Sequence, residues 1–129
     1  MLDTDICIHL IKYRPQQLIN RFERKRVGEI GISSITLAEL EYGAAKSSRP
    51  AQNRNAIRGF VSPLEVSPFD QAATTVYGRI RALLEKRGQV IGPMDLLIAA
   101  HAVSLKAHLI TNNEQEFKRV PGLRVENWL

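Results

Sequence analysis

The sequence predicts an α/β domain built around a mainly parallel β-sheet. Short apolar runs alternate along the chain with longer stretches whose apolar residues recur at helical spacing. This alternation is typical of strands joined by crossover helices. The 129 residues contain no repeat, linker or low-complexity tract. We therefore expect a single domain over residues 1–129, a length that one hydrophobic core can support.

The first half of the chain is predicted to hold three strands and four helices. Pro15 suits a first helical turn, because it has no N–H group to leave unpaired there. Ile30 and Ile32 alternate with a smaller residue, as in a strand, and the serines that follow suit a helix N-cap. In order, we predict a strand stub at 1–2, helices over 4–11 and 15–26, a strand over 29–33, a helix from Ser33 or Ser34, a helix over 50–60, and a strand over 64–66.

The second half follows the same alternation. In order, we predict a helix capped by Asp70 and ended by Gly88, an extended piece at 90–91, a helix over 94–105 started by Pro93, a strand over 108–111, a short helix over 114–117, and a strand over 124–125. The helix over 94–105 is apolar on nearly every side, so we expect it to be buried. Asp95 nevertheless lies in its first turn, which makes this residue a candidate for function.

Composition and charge limit the possible classes of protein. Hydrophobic residues make up 44% and charged residues 24%, which fits a folded globular chain. The net charge of +5 and the pI of about 9.7 favour a nucleic acid or an acidic protein as partner. The apolar run 96–103 is too short to span a membrane, and no signal peptide is visible. Cys7 is the one cysteine, which excludes an internal disulfide; a bacterial cytoplasmic protein is expected.

Several common catalytic motifs are absent. The chain has no GxSxG, GxGxxG or Walker sequence. The sequence therefore gives no evidence for an esterase-type catalytic triad or for a site that binds a dinucleotide or a nucleoside triphosphate. His9, His101 and His108 lack the paired spacing of zinc ligands. His101 lies on the predicted buried helix, and we expect it to be a hydrogen-bonded core residue.

Acidic and polar side chains fall where the predicted strands end. The carboxyl ends of parallel strands share one edge of a sheet, where open α/β folds bind ligands. Thr111 and Asn113 directly follow a predicted strand. The acids expected to converge at this edge are Asp3, Glu39, Asp95 and Glu116.

Converging carboxylates require neutralisation. Two of them ~4 Å apart repel by about 4 kcal/mol at an effective dielectric near 20. Mg²⁺ or Mn²⁺ suits such oxygen ligands and supports phosphodiester hydrolysis. Each acid also has a simpler alternative role: Asp3 can cap a helix, Asp95 can interact with a helix dipole, and Glu116 can face solvent. Spacing alone does not decide between Glu39 and Glu41.

Five segments, in order and across nearly the whole chain, resemble the VapC-type toxins of the PIN-domain ribonuclease family. They are residues 1–8, 33–43, 91–102, 111–117 and 120–128. The resemblance implies an α/β/α sandwich and a Mg²⁺- or Mn²⁺-dependent endoribonuclease that acts on tRNA, notably initiator tRNA. It also implies a homodimer or larger type II toxin–antitoxin assembly, in which the C-terminal segment of the antitoxin occupies the cleft. Only two residues precede Asp3, fewer than is usual in the family, which predicts a very short first strand or a trimmed start.

The resemblance also assigns roles to individual residues. Asp3, Glu39 and Asp95 match the metal-site acids of the family, with Glu39 rather than Glu41 in the helix position. Glu116 is the expected fourth carboxylate, and Asn113 and Thr111 are expected to help hold water or metal. Arg81, which matches an arginine frequent in this group, and its neighbour Arg79 are expected to contact RNA phosphate or an acidic group of the antitoxin.

Two alternatives remain open at this point. Residues 3–5 resemble the opening of haloacid-dehalogenase phosphatases, in which Asp3 would be a covalent nucleophile, although the lysine and the paired acids of that chemistry are not evident. A non-catalytic module that binds RNA or protein is the second alternative.

Overall fold

The computed structural model describes residues 1–26 and 28–129. The α-helices are α1 (Thr4–Ile8), α2 (Gln16–Glu23), α3 (Ser34–Ala45), α4 (Pro50–Val61), α5 (Gln71–Lys86), α6 (Pro93–Ser104) and α7 (Glu114–Phe117). A π-helix, His9–Tyr13, continues α1. The strands are β1 (Gly31–Ser33), β2 (Glu65–Ser67), β3 (His108–Ile110) and β4 (Arg124–Glu126).

The strands pair in parallel, β1 with β2 and β3 with β4. The N-terminal segment joins the two pairs. The Leu2 N–H donates to the Gly31 carbonyl at 3.0 Å, and Leu2 forms a parallel bridge with Ile110. The Asp3 N–H donates to the Ile110 carbonyl at 3.0 Å. The order across the sheet is therefore β2, β1, the N-terminal segment, β3 and β4, and the β1–β2, β3–β4 and Leu2–Ile110 pairings are parallel.

Helices cover both faces of this sheet. Neighbouring strand residues point to opposite faces: Ile110 packs into one apolar cluster and Leu109 into the other. The first cluster takes its helical residues from α1, the π-helix, α2, α3 and α4. The second takes them mainly from α5, α6 and α7. The predicted α/β class and the three-layer sandwich with a parallel sheet are confirmed.

Helix α6 is the buried helix that the sequence predicts. Pro93 occupies its first turn, where a missing N–H costs nothing. Its small side chains Ala99, Ala100 and Ala102 are fully buried and allow close packing along α5. Asp95 therefore lies in the first turn of a helix whose following residues are mostly apolar and buried.

Some local predictions are wrong. The helix predicted over 4–11 changes to π-helical hydrogen bonding at His9 and ends at Arg14, whose φ of 49° is left-handed. The helix predicted over 15–26 ends at Glu23. Residues 90–91, predicted only as an extended piece, belong to no helix or strand. In the same part of the chain, no helix is long and apolar enough to cross a membrane.

Candidate metal-binding active site

Three acids from distant parts of the chain line one cavity of about 310 Å³ at the carboxyl edge of the sheet. Asp3 follows the N-terminal segment, Glu39 lies on α3 and Asp95 lies in the first turn of α6. Asn113, which follows β3, also lines the cavity. The remaining lining residues are Thr4, Asp5, Ile8 and Phe117. The convergence of acids expected from parallel topology is therefore present in the fold.

Asp3 is the most buried of these acids, with 3% of its surface exposed. Its Oδ1 accepts a hydrogen bond from the Ile6 N–H at 2.9 Å and so caps α1. Burial raises the pKa of Asp3 to about 6, and the charges of Asp5 and Glu39 add to this shift. Hydrogen bonds from Thr111 and the Ile6 amide act in the opposite direction. The carboxylate is thus held in place while its charge is poorly compensated.

Asp95 is also held in an unfavourable electrostatic environment. Its pKa is raised to about 7, first by burial and then by the negative charges of Glu116, Asp3 and Glu39. A hydrogen bond with Glu116 adds to the shift, because it favours the protonated carboxyl. Shared protons therefore relieve part of the repulsion in this cluster, which is the task that a bound cation also performs.

Glu116 lies behind Asp95, at the N-terminus of α6. One carboxylate oxygen, Oε1, accepts from the Gly92 N–H at 2.8 Å, and the other accepts from the Asn113 side-chain amide at 2.5 Å. A Cβ atom on Gly92 would lie 3.6 Å from both Asp95 Oδ2 and Glu116 Oε1. Glu116 is therefore close to Asp95 but is not among the residues that line the cavity.

Glu39 and Glu41 point to different surroundings. Glu39 Oε1 accepts a hydrogen bond from the Thr4 hydroxyl at 2.6 Å. Glu41 instead lies 3.9 Å from Arg54. The structure thus places Glu39 at the cavity and Glu41 outside it, as the family resemblance implies. The role of Glu39 as a ligand stays a prediction.

Thr111 and Asn113 occupy the turn after β3. The Thr111 side chain is fully buried, and its hydroxyl accepts from the Asn113 N–H at 2.9 Å. The same hydroxyl hydrogen-bonds to Asp3, so this turn connects β3 to the first acid of the cluster. Asn113 is exposed and is held by Glu116.

The two arginines singled out by the sequence lie on the outer surface of α5. Arg81 donates to Glu85 and to the Tyr77 hydroxyl, both at 2.8 Å. These hydrogen bonds raise its pKa. Within residues 1–26 and 28–129, no hydrogen bond or ion pair joins Arg79 or Arg81 to the acids of the cavity. Their contact with RNA or antitoxin stays a prediction.

The donor set fits a hard divalent cation. Carboxylate oxygens predominate, and amide and hydroxyl groups surround them. Among the described residues, no three acidic, histidine or cysteine side chains already surround a common point. The negative charges of Glu116, Asp3 and Glu39, which contribute to the raised pKa of Asp95, would also attract a divalent cation, which would take the place of the proton.

Two residues at the site were not identified from the sequence. Thr4 holds Glu39, and Gly92 holds Glu116 through its backbone. Thr4 directly follows the candidate acid Asp3, and Gly92 directly precedes Pro93, where a helix begins. These neighbouring positions are the signal by which the sequence could have indicated the two residues. The partners of both residues lie more than twenty positions away, which local spacing does not reveal.

Comparison with known proteins identifies the family. The family model described as "PIN domain" matches residues 1–123. The "tRNA(fMet)-specific endonuclease VapC" of Shigella flexneri is 49% identical over 99% of this chain and 96% of the relative. This chain is a VapC-type member of the PIN-domain family. "Ribonuclease VapC2" of Rickettsia felis is 46% identical over 99% of the chain and 96% of the relative.

Solved structures of VapC-type PIN domains have the same fold. VapBC from Salmonella typhimurium bound to DNA superposes with a TM-score of 0.96 at 46% identity, covering 100% of this chain and 97% of the other. VapBC2 from Rickettsia felis, bound to a DNA fragment from its promoter, gives 0.94 at 45% identity, with 100% and 98% covered. The ribonuclease interpretation is confirmed at the level of the family, and the comparisons support neither the phosphatase nor the binding module.

Proposed function

We propose that this VapC-type PIN domain is the toxin of a type II toxin–antitoxin pair and a Mg²⁺- or Mn²⁺-dependent endoribonuclease that cleaves tRNA. The observation that carries the proposal is the single cavity lined by Asp3, Glu39 and Asp95. These acids come from three separate elements, and the charge of Glu39 contributes to the raised pKa of both Asp3 and Asp95. The repulsion between these carboxylates is unfavourable unless a cation binds among them.

The net charge of the chain and the names of its relatives support tRNA as the proposed substrate. A net charge of +5 favours an RNA polyanion over an uncharged substrate. The relatives from Shigella flexneri and Salmonella typhimurium are named as tRNA(fMet)-specific endonucleases. Initiator tRNA is therefore the first substrate to test.

The residues of the cavity have distinct roles in the proposed reaction. Asp3, Glu39 and Asp95 would hold the metal, and Glu116, which adjoins Asp95 outside the cavity lining, would complete the site or orient water. A divalent ion bound there would lower the pKa of the attacking water and stabilise charge on phosphate oxygens. The fold keeps Asp3 in place through its bond to the Ile6 amide, and Thr4 keeps Glu39 in place. In-line attack of water on phosphorus then leaves a 5′-phosphate and a 3′-hydroxyl.

The partners follow from the same assignment. A structure at 29% identity, covering 75% of this chain, belongs to a VapBC member of the toxin–antitoxin systems of Mycobacterium tuberculosis. We expect a cognate antitoxin whose C-terminal segment occupies the acidic cleft, and Arg79 and Arg81 as candidate contacts for RNA or antitoxin. We also expect the protein to form a homodimer, or a larger assembly with the antitoxin, in the bacterial cytoplasm.

Cleavage of purified tRNAs tests the function directly. Wild-type protein with Mg²⁺ or Mn²⁺ is expected to cut initiator tRNA, and a chelator is expected to stop the reaction. Asp95→Asn and Glu39→Gln should abolish cleavage without loss of fold. Glu41→Gln is the matched control on the same helix, because Glu41 contacts Arg54 rather than the cavity, and it should stay active.

The alternatives give different results in the same experiment. A binding module predicts no cleavage by any variant and unchanged RNA affinity in Asp95→Asn. A phosphatase predicts a trapped phosphoryl group on Asp3. Unaltered cleavage by Asp95→Asn would refute the metal-site assignment.

A further inference from the structure

A buried hydrogen bond joins the two helices that carry Glu39 and Asp95. His101 Nδ1 lies 2.7 Å from the Ser33 hydroxyl. Both residues are buried, with 1% and 0% of their surfaces exposed. The two positions are 68 residues apart in the chain, so this bond is a product of the tertiary fold.

The bond has a defined place relative to the acids. Ser33 ends β1 and is the N-cap of α3, and Glu39 follows it on that helix. His101 lies on α6, beyond Asp95. Each acid is six positions from its end of the bond, about 9 Å along a helix axis. In the described part of the chain, this is the one side-chain hydrogen bond between α6 and α3 or its cap.

The direction of the bond follows from the other contacts of Ser33. The Ser33 oxygen already accepts from the Ile35 N–H at 3.0 Å. We assign the Ser33 hydroxyl as the donor to Nδ1, because no other acceptor for its hydrogen is present in the described part of the chain. The imidazole hydrogen then lies on Nε2. The Phe69 ring packs edge-on against the imidazole, with ring centroids 5.4 Å apart. A ring confined in this way has one acceptor atom aimed at one hydroxyl.

We propose that His101 is a positioning residue, which sets the separation of Glu39 and Asp95 through its hydrogen bond to the Ser33 cap. The inference rests on the proposed metal-dependent function, since it concerns how the acids of that site are held apart. Without the bond, no side-chain hydrogen bond in the described part of the chain fixes α6 relative to α3 or its cap. The carboxylates of Glu39 and Asp95 would then be less well placed to bind the same cation.

Two substitutions of the same residue separate hydrogen bonding from packing. Asparagine can present its side-chain oxygen near the position of Nδ1, whereas glutamine places its amide near the position of Nε2. His101→Asn should therefore keep the bond to Ser33, and His101→Gln should lose it. Ser33→Ala removes the other partner, and Ser104→Ala is the control, because the Ser104 hydroxyl bonds only within its own helix.

The measurement is Mn²⁺ affinity of the antitoxin-free protein, followed by electron paramagnetic resonance, with thermal unfolding recorded on each sample. We expect affinity to fall roughly tenfold in His101→Gln and Ser33→Ala, the scale seen when outer-shell partners are lost. His101→Asn and Ser104→Ala should stay near wild type. The tRNA cleavage rate of folded variants should follow the same order.

Two results would overturn the inference. One is wild-type Mn²⁺ affinity in Ser33→Ala and His101→Gln; the other is an equal loss in His101→Asn and His101→Gln, which would mean that only ring packing matters. If His101→Gln does not fold, Ser33→Ala and His101→Asn decide in the same way. Failure of the proposed function is distinguishable, because the wild-type protein would then neither bind Mn²⁺ nor cleave RNA.

Discussion

At the scale of single residues, Asp3 combines two roles that the sequence presents as alternatives. Its Oδ1 caps α1 through the Ile6 amide, and its carboxylate also lines the acidic cavity. The cap fixes the position of the carboxylate, and a carboxylate accepts more than one partner at once. Capping thus makes Asp3 a better-positioned candidate ligand.

The raised pKa values of Asp3 and Asp95 predict how stability depends on pH in the metal-free protein. For each acid the pKa in the folded state exceeds that in the unfolded chain, so the folded state binds more protons. The stability from this source is complete below the unfolded pKa and is lost as pH rises through about 6 for Asp3 and about 7 for Asp95.

Wild-type protein without metal should therefore lose about 1–3 kcal/mol of unfolding free energy between about pH 5 and about pH 8. Asp95→Asn has no charge to acquire at this position, so its loss over the same range should be smaller. Urea denaturation at several pH values, with chelator present, measures both curves. Parallel curves for the two proteins would contradict the assigned electrostatics.

Thr4 provides a second prediction at this scale. Its hydroxyl donates to Glu39 at 2.6 Å, and hydrogen bonds to charged groups contribute about 1.5–3 kcal/mol. Thr4→Val keeps the shape and removes the donor, so Mn²⁺ should bind roughly tenfold less tightly. Thr74→Val, whose hydroxyl bonds to a carbonyl on its own helix, is the control. Equal affinities in the two variants would show that Thr4 does not hold Glu39.

At the scale of elements, the sequence predicts the presence of helices and strands more accurately than the residues at which they begin and end. The buried helix α6 and the short α7 have the expected character and nearly the expected bounds. The transition from α1 to a π-helix at His9 was not predicted, because apolar spacing does not distinguish i+4 from i+5 hydrogen bonding over two turns.

The pairing of β1 with β2 yields a third prediction. A Cβ atom on Gly31 would lie 2.7 Å from the backbone oxygen of Glu65, and backbone cannot give way as a flexible side chain does. Gly31→Ala should therefore destabilise the fold by about 1–3 kcal/mol.

Gly78 offers the matched control for this substitution. It lies within α5, and a Cβ atom there meets nothing within 4 Å. Gly78→Ala should stabilise the protein by up to about 1 kcal/mol, because alanine is the better helix former. Thermal unfolding of both variants measures the difference, and a neutral Gly31→Ala would show that the strands separate easily.

At the scale of the whole molecule, the parallel sheet brings the functional residues together. Its two faces bury separate apolar clusters, so helices are held on both sides and the carboxyl ends of the strands stay open. Acids at positions 3, 39 and 95 thereby reach one cavity. The net charge of +5 acts over a longer range and favours the approach of a polyanion to this acidic centre.

This charge predicts a salt-dependent affinity for RNA. Binding of tRNA to Asp95→Asn, used to prevent cleavage, should weaken at least about tenfold between about 50 and about 200 mM salt, because counterions are released when phosphates are neutralised. Fluorescence anisotropy with labelled tRNA measures the slope. An affinity that is independent of salt would argue against recognition through phosphate.

The sequence by itself determined the fold class, the buried helix and the acids worth testing. Apolar periodicity and the order of the elements restrict an α/β chain to a parallel sheet, and that topology already predicts which edge collects the polar residues. Asp3, Glu39 and Asp95 were identified in this way, together with the family resemblance.

Only the tertiary structure decided how those acids are held. It placed Glu39 at the cavity and Glu41 beside Arg54. It placed Glu116 next to Asp95 but outside the cavity lining. It also showed the hydrogen bond between His101 and Ser33. Side-chain hydrogen bonds between residues far apart in the chain depend on ångström-scale packing, whereas hydrophobic periodicity reports only which face of each element is buried.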